Sequence, residues 1–399
     1  MDELVEKLKN QVILQMDMSR DMTDEEIEEL IASAVSKEAR REMISVRQRV
    51  ILETQIFNAL RKLDVLQELV DNPQITEIMV NGPNHIFYEK AGMIYKFDGG
   101  FSSDDKMQDV IQQIVGRHNR VVNQASPIVD TRLSDGSRVN IVLSPISIEG
   151  SAICIRKFPE HPYSMDQLIE MGALSQEAAK FLEVLVEAKY NIFISGGTGS
   201  GKTTFLNALS QYIPDDERII TIEDSAELQL LNAENVVRLE TRNANTEGVE
   251  AITIRDLIKT ALRMRPDRII VGECRGEEAL DMLSAMNTGH DGSLSTGHAN
   301  SCRDILSRLE TMVIMGKELP IPAIRSQIAS GIDIIVQLGR IRDKSRKVLE
   351  IAEVDGMEAG DIRLRTLYKY EIDKNNKGKL VGMNQLIHKE KLIAAGLEV

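Results

Sequence analysis

The residues best suited to chemistry form a glycine-rich loop that ends in a lysine and two threonines. Residues 196–203 satisfy every fixed position of the pattern G-x-x-x-x-G-K-[ST]. Glycines let such a loop turn its backbone N–H groups towards a polyphosphate, in conformations that a Cβ would obstruct. Lys202 would supply a charge for the β- and γ-phosphates, and the Thr203 hydroxyl would bind Mg²⁺. The predicted nucleotide-binding residues are Gly196, Gly197, Thr198, Gly199, Ser200, Gly201, Lys202, Thr203 and Thr204.

The segments beside this loop have the character that it requires. Residues 192–194 are apolar and predict a buried strand, whereas residues 205–209 predict the start of a helix. A helix that begins at Lys202 directs the positive end of its dipole at the same anion. Further apolar strands are predicted at 218–222, 236–239 and 268–271. Because other segments, some of them helical, separate these strands, the sequence predicts an α/β fold with a mainly parallel sheet.

Acidic residues follow two of these predicted strands. Glu223 and Asp224 end one strand, and Glu273 follows another. Ligands collect at the carboxyl ends of parallel strands, so both sites are candidates for catalysis. Gly272 stands where an aspartate usually precedes such a glutamate. Glu273 is therefore predicted to polarise the attacking water or to reach Mg²⁺ through water, and Glu223 to share the task, as a base or as a metal ligand. Which carboxylate activates water stays open.

Two of the six histidines, His290 and His298, lie in one stretch rich in glycine, serine and threonine. No third histidine accompanies them and Cys302 stands alone, so a metal site is a weak interpretation. Hydrogen bonding towards a γ-phosphate is a better use of both side chains.

Arginines cluster in two parts of the chain. Arg132, Arg138 and Arg156 fall in the region before the loop. Guanidinium groups that complete an NTPase site often come from a second domain or a neighbouring subunit, and this group fits that role. Surface ion pairs are the alternative for each of them. The second cluster, around the acids, is Arg238, Arg242, Arg255, Arg263, Arg265, Arg268 and Arg275.

Length and composition predict a multidomain protein of a reducing compartment. The chain has 399 residues, a net charge of −14 and three widely spaced cysteines. This acidic balance argues against general electrostatic binding of nucleic acid. The acidic start does not resemble a secretory signal, and no apolar run is long enough to span a bilayer, so any work at a membrane would depend on partners.

Four segments are expected from the pattern of hydrophobic residues. Residues 1–68 predict a helical N-terminal extension, with a capping box at Thr23 and Glu26, and residues 69–158 an α+β domain. Prolines at 158–162 indicate a linker. Residues 163–340 predict the nucleotide-binding domain, and residues 341–399 a small β-rich appendix.

The order of the motifs resembles the signature set of the type II/IV secretion ATPases. The glycine-rich loop is followed by Thr-Ile-Glu-Asp at 221–224, by a strand that ends in Gly-Glu at 272–273, and by the two-histidine stretch. Residues 129–140 and 286–296 resemble the CpaF branch, which drives Tad/Flp-type pilus assembly. The zinc-binding four-cysteine module of some type II relatives is absent, and Gly297 replaces a bulkier residue.

This resemblance implies a RecA-like P-loop NTPase core and a homohexameric, Mg²⁺-dependent ATPase in the cytoplasm. ATP would lie between the core and the N-terminal domain, with Arg132, Arg138 or Arg156 reaching its γ-phosphate. The implied partners are inner-membrane pilus or secretion platform proteins, which would hold the motor at the inner face of the membrane. No nucleic-acid partner is expected.

Three other functions remain open: a nucleic-acid-dependent motor on the same core, an ABC-type transport ATPase, and a regulator that binds nucleotide without turnover. Residues 133–137 superficially resemble an ABC signature, but they precede the glycine-rich loop, whereas that signature should follow it.

Overall fold

The computed structural model describes residues 2–17, 19–20, 22–117, 121–158, 162–242, 244, 250–372 and 378–398. It divides into two compact units, Met1–Glu160 and His161–Val399. The linker predicted at 158–162 falls largely on residues 159–161, which lie outside the described residues. None of the helices in the described ranges is long and apolar enough to cross a membrane.

The first unit opens with three helices that share one core. They are α1 (Asp2–Ile13), α2 (Asp24–Glu42) and α3 (Val46–Arg61). Apolar side chains at helical spacing meet between them, among them Leu8, Ile27 and Ile56. The predicted capping box is present at the start of α2, where Thr23 and Glu26 each bond the other's backbone N–H.

A six-stranded antiparallel sheet forms the rest of the first unit. After α4 (Leu66–Asp71) come β1 (Ile75–Asn81), β2 (Ile86–Lys90), β3 (Met93–Lys96), α5 (Asp104–Gly116), β4 (Ile128–Arg132), β5 (Arg138–Val142) and β6 (Ala152–Arg156). The strand order is β3-β2-β1-β6-β5-β4. Side chains alternate across the sheet: Val139 and Ile141 share a core with α5, whereas Arg138 and Asn140 lie on the other, more exposed face.

The second unit is built on a nine-stranded sheet. Its elements are α6 (Met165–Glu170), α7 (Gln176–Glu187), β7 (Ile192–Gly196), α8 (Lys202–Ser210), β8 (Ile219–Glu223), β9 (Val236–Glu240), α9 (Ile254–Ala261), β10 (Arg268–Val271), α10 (Ala279–Met286), β11 (Leu294–Gly297), α11 (Cys302–Gly316), α12 (Ile321–Gly331), β12 (Ile334–Arg340), β13 (Arg346–Glu358), β14 (Asp361–Ile372), β15 (Gly378–Gly382) and α13 (Glu390–Ala395). The strand order is β15-β14-β13-β12-β7-β11-β10-β8-β9.

The six strands from β12 to β9 in this order are parallel, and helices cover both of their faces. Ile192 and Ile194 of β7 pack against α7 and α8, whereas Phe193 packs on the other face with α10 and α11. A strand buried on both faces has no polar side, which is why β7, β8 and β10 are largely apolar runs in the sequence.

The strands after residue 340 extend the same sheet. β13 pairs antiparallel with β12, β14 with β13, and β15 with β14. β14 is one long strand, because its pairing with the long β13 supplies partners along its length. The boundaries of the four segments expected from the sequence stay a prediction.

A buried ion pair ties the amino end of β10 to the preceding chain. Arg268 has no exposed surface and donates to both carboxylate oxygens of Glu217, at 2.5 and 3.0 Å. Its remaining contacts are the carbonyl oxygens of Val186, at 2.7 Å, and Gly292, at 3.4 Å. Arg268 therefore has a structural role and lies at the opposite end of β10 from the acids near which it was grouped.

We expect Arg268→Ala to destabilise the protein by at least about 3 kcal/mol, because it leaves the Glu217 carboxylate buried without its main partner. Urea unfolding measures the loss. The matched control is Arg263→Ala, since Arg263 is exposed and its side chain makes no hydrogen bond or ion pair in the described residues; this change should stay within about 0.5 kcal/mol of the native protein. Equal losses in the two variants would contradict the structural role.

Candidate functional site

The glycine-rich loop joins β7 to α8 in a conformation that needs glycine. A Cβ on Gly196 would lie 2.5 Å from Oγ of Ser200 and 2.8 Å from the carbonyl oxygen of Leu338. Gly199 and Gly201 have φ angles of +69° and +93°, in the left-handed region that side chains disfavour. The tight turn therefore brings the first N–H groups of α8 to the carboxyl edge of the sheet. This backbone fits a phosphate group.

Lys202 lies inside this loop. Its Nζ donates to the carbonyl oxygens of Gly196, at 3.2 Å, and Gly197, at 3.3 Å, and the residue is 8% exposed. Burial lowers the pKa of Lys202, while the charge of Glu273 opposes that shift. An ammonium with this little water gains more from an anionic partner than an exposed one does, so the loop fits the phosphates of a nucleotide.

A line of polar contacts runs from Lys202 along the same edge of the sheet. Nδ1 of His298 lies 3.3 Å from Nζ of Lys202. On its other side, Nε2 of His298 lies 2.7 Å from Oε1 of Glu273, at ion-pair distance but outside hydrogen-bond angles. Arg275 donates to Glu273 at 2.6 Å and to Asp224 at 3.4 Å. The line joins residues that follow four neighbouring strands, β7, β11, β10 and β8.

Burial and neighbouring charges act together on His298. Burial lowers its pKa most, the nearby charge of Lys202 lowers it further, and Glu273 acts in the opposite direction. Nε2 also lies 3.5 Å from Nζ of Lys202, so both ring nitrogens are close to the ammonium. The bond to Glu273 raises the pKa of Arg275, which fixes a positive charge beside the carboxylate.

Glu223 is buried at the end of β8. It is 4% exposed, and its Oε1 accepts the backbone N–H groups of Glu227, at 2.9 Å, and Leu228, at 3.0 Å. A Cβ on Gly272 would lie 2.8 Å from Cγ of Glu223. The missing aspartate before Glu273 thus has a steric cause, since Glu223 occupies the space that its side chain would enter.

His290 lies apart from the other candidate residues. It precedes β11, so it is at the amino end of the parallel strands, whereas His298 follows β11 at the carboxyl end. Nδ1 of His290 lies 3.3 Å from the carbonyl oxygen of Ala285, and its own carbonyl accepts from Ser293. The structure does not bring His290 to Lys202, because the stretch interpreted from the sequence as one loop contains a strand.

Comparison with known proteins shows the family of the chain. Residues 59–379 match the family described as type II/IV secretion system protein. The chain belongs to the type II/IV secretion system protein family. It is 33% identical to the conjugal transfer protein TrbB of Rhizobium radiobacter, over 73% of this chain and 88% of TrbB. It is also 33% identical to the type IV secretion system protein PtlH of Bordetella pertussis, over 74% of this chain and 95% of PtlH.

The fold of this secretion-family protein is similar to that of the pilus retraction motor PilT, solved with bound ADP. The TM-score is 0.54 at 20% identity, over 84% of this chain and 87% of PilT. The α/β fold class with a RecA-like core is therefore confirmed.

In this family member, the three arginines of the first unit form one cross-strand row. Arg132 pairs with Arg138 across β4 and β5, and Arg138 with Arg156 across β5 and β6. Arg156 bonds Glu77 of β1 at 2.9 Å, and Arg138 lies 3.5 Å from Asp130. The structure thus brings the three together on the more exposed face of that sheet.

Sequence reasoning gave no role to several residues that contact the site. The sequence groups Arg275 only with the arginines around the acids. Its position two residues after Glu273 could have indicated a contact with that carboxylate. Arg340 and Arg346 each donate Nε to the carbonyl oxygen of Gly199, at 3.0 Å. No local pattern marks them, because only the pairing of β12 with β7 and β13 brings them to the loop.

We expect Gly272→Ala to lower the free energy of unfolding by about 1–3 kcal/mol, because the new Cβ overlaps the buried Glu223 side chain. Thermal or urea unfolding measures the change. In the control, Gly116→Ala, an added Cβ meets nothing within 4 Å. That helical position should tolerate alanine without loss. An unchanged stability of the Gly272 variant would show that Glu223 does not fill this space.

Proposed function

We propose that this protein is a Mg²⁺-dependent ATPase of the CpaF-like branch, working as a hexameric motor for Tad/Flp-type pilus assembly or type II/IV secretion. The observation that carries the proposal is the line of contacts from Lys202 through His298 to Glu273. It joins a phosphate-binding lysine to a carboxylate suited to act on water. Relatives named for conjugal transfer and type IV secretion support the secretion side.

In the proposed reaction, Lys202 balances the charge of the β- and γ-phosphates. Glu273 orients a water molecule and accepts its proton as the water oxygen attacks the γ-phosphorus, while the bond to the β-phosphate oxygen breaks and ADP leaves. Arg275 holds the carboxylate in place through its 2.6 Å bond. His298 would donate a hydrogen bond from its ring to the γ-phosphate.

Thr203 and Glu223 would hold Mg²⁺, which would neutralise the charge that develops on the phosphates. The Thr203 side chain is partly exposed at the start of α8, and Glu223 lies at the end of β8. Few protein ligands are needed for this metal, because phosphate oxygens and water usually complete its shell.

The arginine row is proposed to complete the site by reaching the γ-phosphate when the N-terminal domain closes over it. Arg132, Arg138 or Arg156 would then exchange contacts with carboxylates for contacts with phosphate. Such closure would couple hydrolysis to movement, and a homohexameric ring would pass the movement to inner-membrane platform proteins. These partners would hold the motor at the cytoplasmic face of the membrane.

We expect Lys202→Ala to abolish ATP turnover and to weaken ATP binding. Glu273→Gln should keep binding within about threefold and lower kcat by at least about 100-fold, because the amide cannot accept the water's proton. Phosphate release and equilibrium binding of ATP are the measurements. Rapid turnover in the Glu273 variant would overturn its assignment as the base.

Stimulation of the native ATPase by DNA, lost at high salt, would favour a nucleic-acid motor instead.

The two histidines offer a matched pair. His298→Ala should lower kcat by about 10- to 1,000-fold, since it removes a donor beside the γ-phosphate. His290→Ala should leave kcat within about twofold, because that ring lies at the opposite edge of the sheet. Steady-state phosphate release compares the two variants. Equal losses in the two variants would contradict the different roles assigned to His298 and His290.

A further inference from the structure

Two arginines flank the phosphate loop on the side away from the acids. Arg340 is the last residue of β12 and Arg346 the first of β13, and the two pair directly across the hairpin. In the strand order β13-β12-β7-β11-β10, they lie beyond β7 on one side. His298 and Glu273, which follow β11 and β10, lie on the other.

Both guanidinium groups converge on one atom of the loop. Nε of Arg340 and Nε of Arg346 each donate to the carbonyl oxygen of Gly199, at 3.0 Å. A Cβ on Gly199 would lie 2.8 Å from Nη2 of Arg340, so the glycine permits this close approach. The two side chains are thereby aimed at the loop although both are exposed.

The charges of this pair are not balanced by nearby acids. Within the part of the chain that the structure describes, neither arginine has a carboxylate partner, and their Nη atoms make no hydrogen bond. Like charges directly opposite each other on neighbouring strands destabilise a sheet. Repulsion between the two guanidinium groups therefore destabilises the protein when no ligand is bound, and an anion between them would offset this repulsion.

The position of the loop suggests which anion this is. If Lys202, His298 and Glu273 surround the γ-phosphate, the rest of a nucleotide must leave the loop away from β11 and β10, towards β12. We propose that Arg340 and Arg346 bind the α-phosphate of the nucleotide in this site. The inference rests on the proposed ATPase function and adds to it a contact on the nucleoside side of the loop.

Such a contact has a kinetic signature. The α-phosphate is present in both ATP and ADP and does not react, so the arginines would bind substrate and transition state equally. Loss of the two arginines should raise KM and weaken the binding of both ATP and ADP, without lowering kcat at saturation. Changes at Glu273 or His298 should act on kcat instead.

The test uses Arg340→Gln, Arg346→Gln and the double variant in the full chain. The matched control is Arg342→Gln, because Arg342 lies in the same turn, is exposed, and its side chain makes no hydrogen bond or ion pair in the described residues. Equilibrium binding of Mg-ADP and Mg-ATP should weaken by about tenfold in each single variant and further in the double variant, with kcat within about twofold. The control should bind as the native protein does.

Arg→Lys variants separate phosphate binding from support of the loop. Lysine keeps a point charge for phosphate but cannot place a guanidinium Nε on Gly199, so Arg346→Lys should recover part of the lost affinity at low salt. Unchanged affinity for both nucleotides in the double variant would overturn the inference, as would loss of kcat with normal binding. Failure of the native protein to bind ADP or ATP would overturn the proposed function itself.

Discussion

The parallel register of β7, β11, β10 and β8 is the constraint on which the candidate site depends. Because these strands run in one direction, the residues that follow them meet at one edge of the sheet. Lys202, His298, Glu273 and Glu223 share this edge although they are far apart in the sequence. Helices bury both faces of β7, β8 and β10, so these strands are largely apolar and the polar side chains of the site lie at or after their ends.

Local signals made part of this site predictable from the sequence. The loop at 196–203 is a contiguous pattern whose glycines have local backbone reasons, and Glu223 and Glu273 follow apolar strands that are recognisable by themselves. The sequence groups His290 with His298 for an equally local reason, although the two lie at opposite ends of β11. β11 reads Leu-Ser-Thr-Gly, and its small polar residues resemble a loop. It is a strand because β7 and β10 pair with it on both sides, which is a tertiary effect.

Residues that reach the site only through the pairing of distant strands could not be identified from the sequence. Arg275 contacts Asp224 only because β8 and β10 are neighbours. Arg340 and Arg346 reach Gly199 only because β12 lies beside β7, and the same pairing joins the strands after residue 340 to the central sheet. The hydrophobic pattern predicts a small β-rich appendix over residues 341–399. The first hairpin of this region, between β12 and β13, lies against the phosphate loop.

The two sides of the loop would therefore contact different parts of a nucleotide. Contacts on the β12 side would involve groups that ATP and ADP share, so they can contribute affinity but cannot distinguish the two. Contacts on the β11 and β10 side would include the γ-phosphate, which only ATP carries. A ligand can shift a conformational equilibrium only by its differential affinity for the two states, and ATP differs from ADP in the γ-phosphate that these contacts would include.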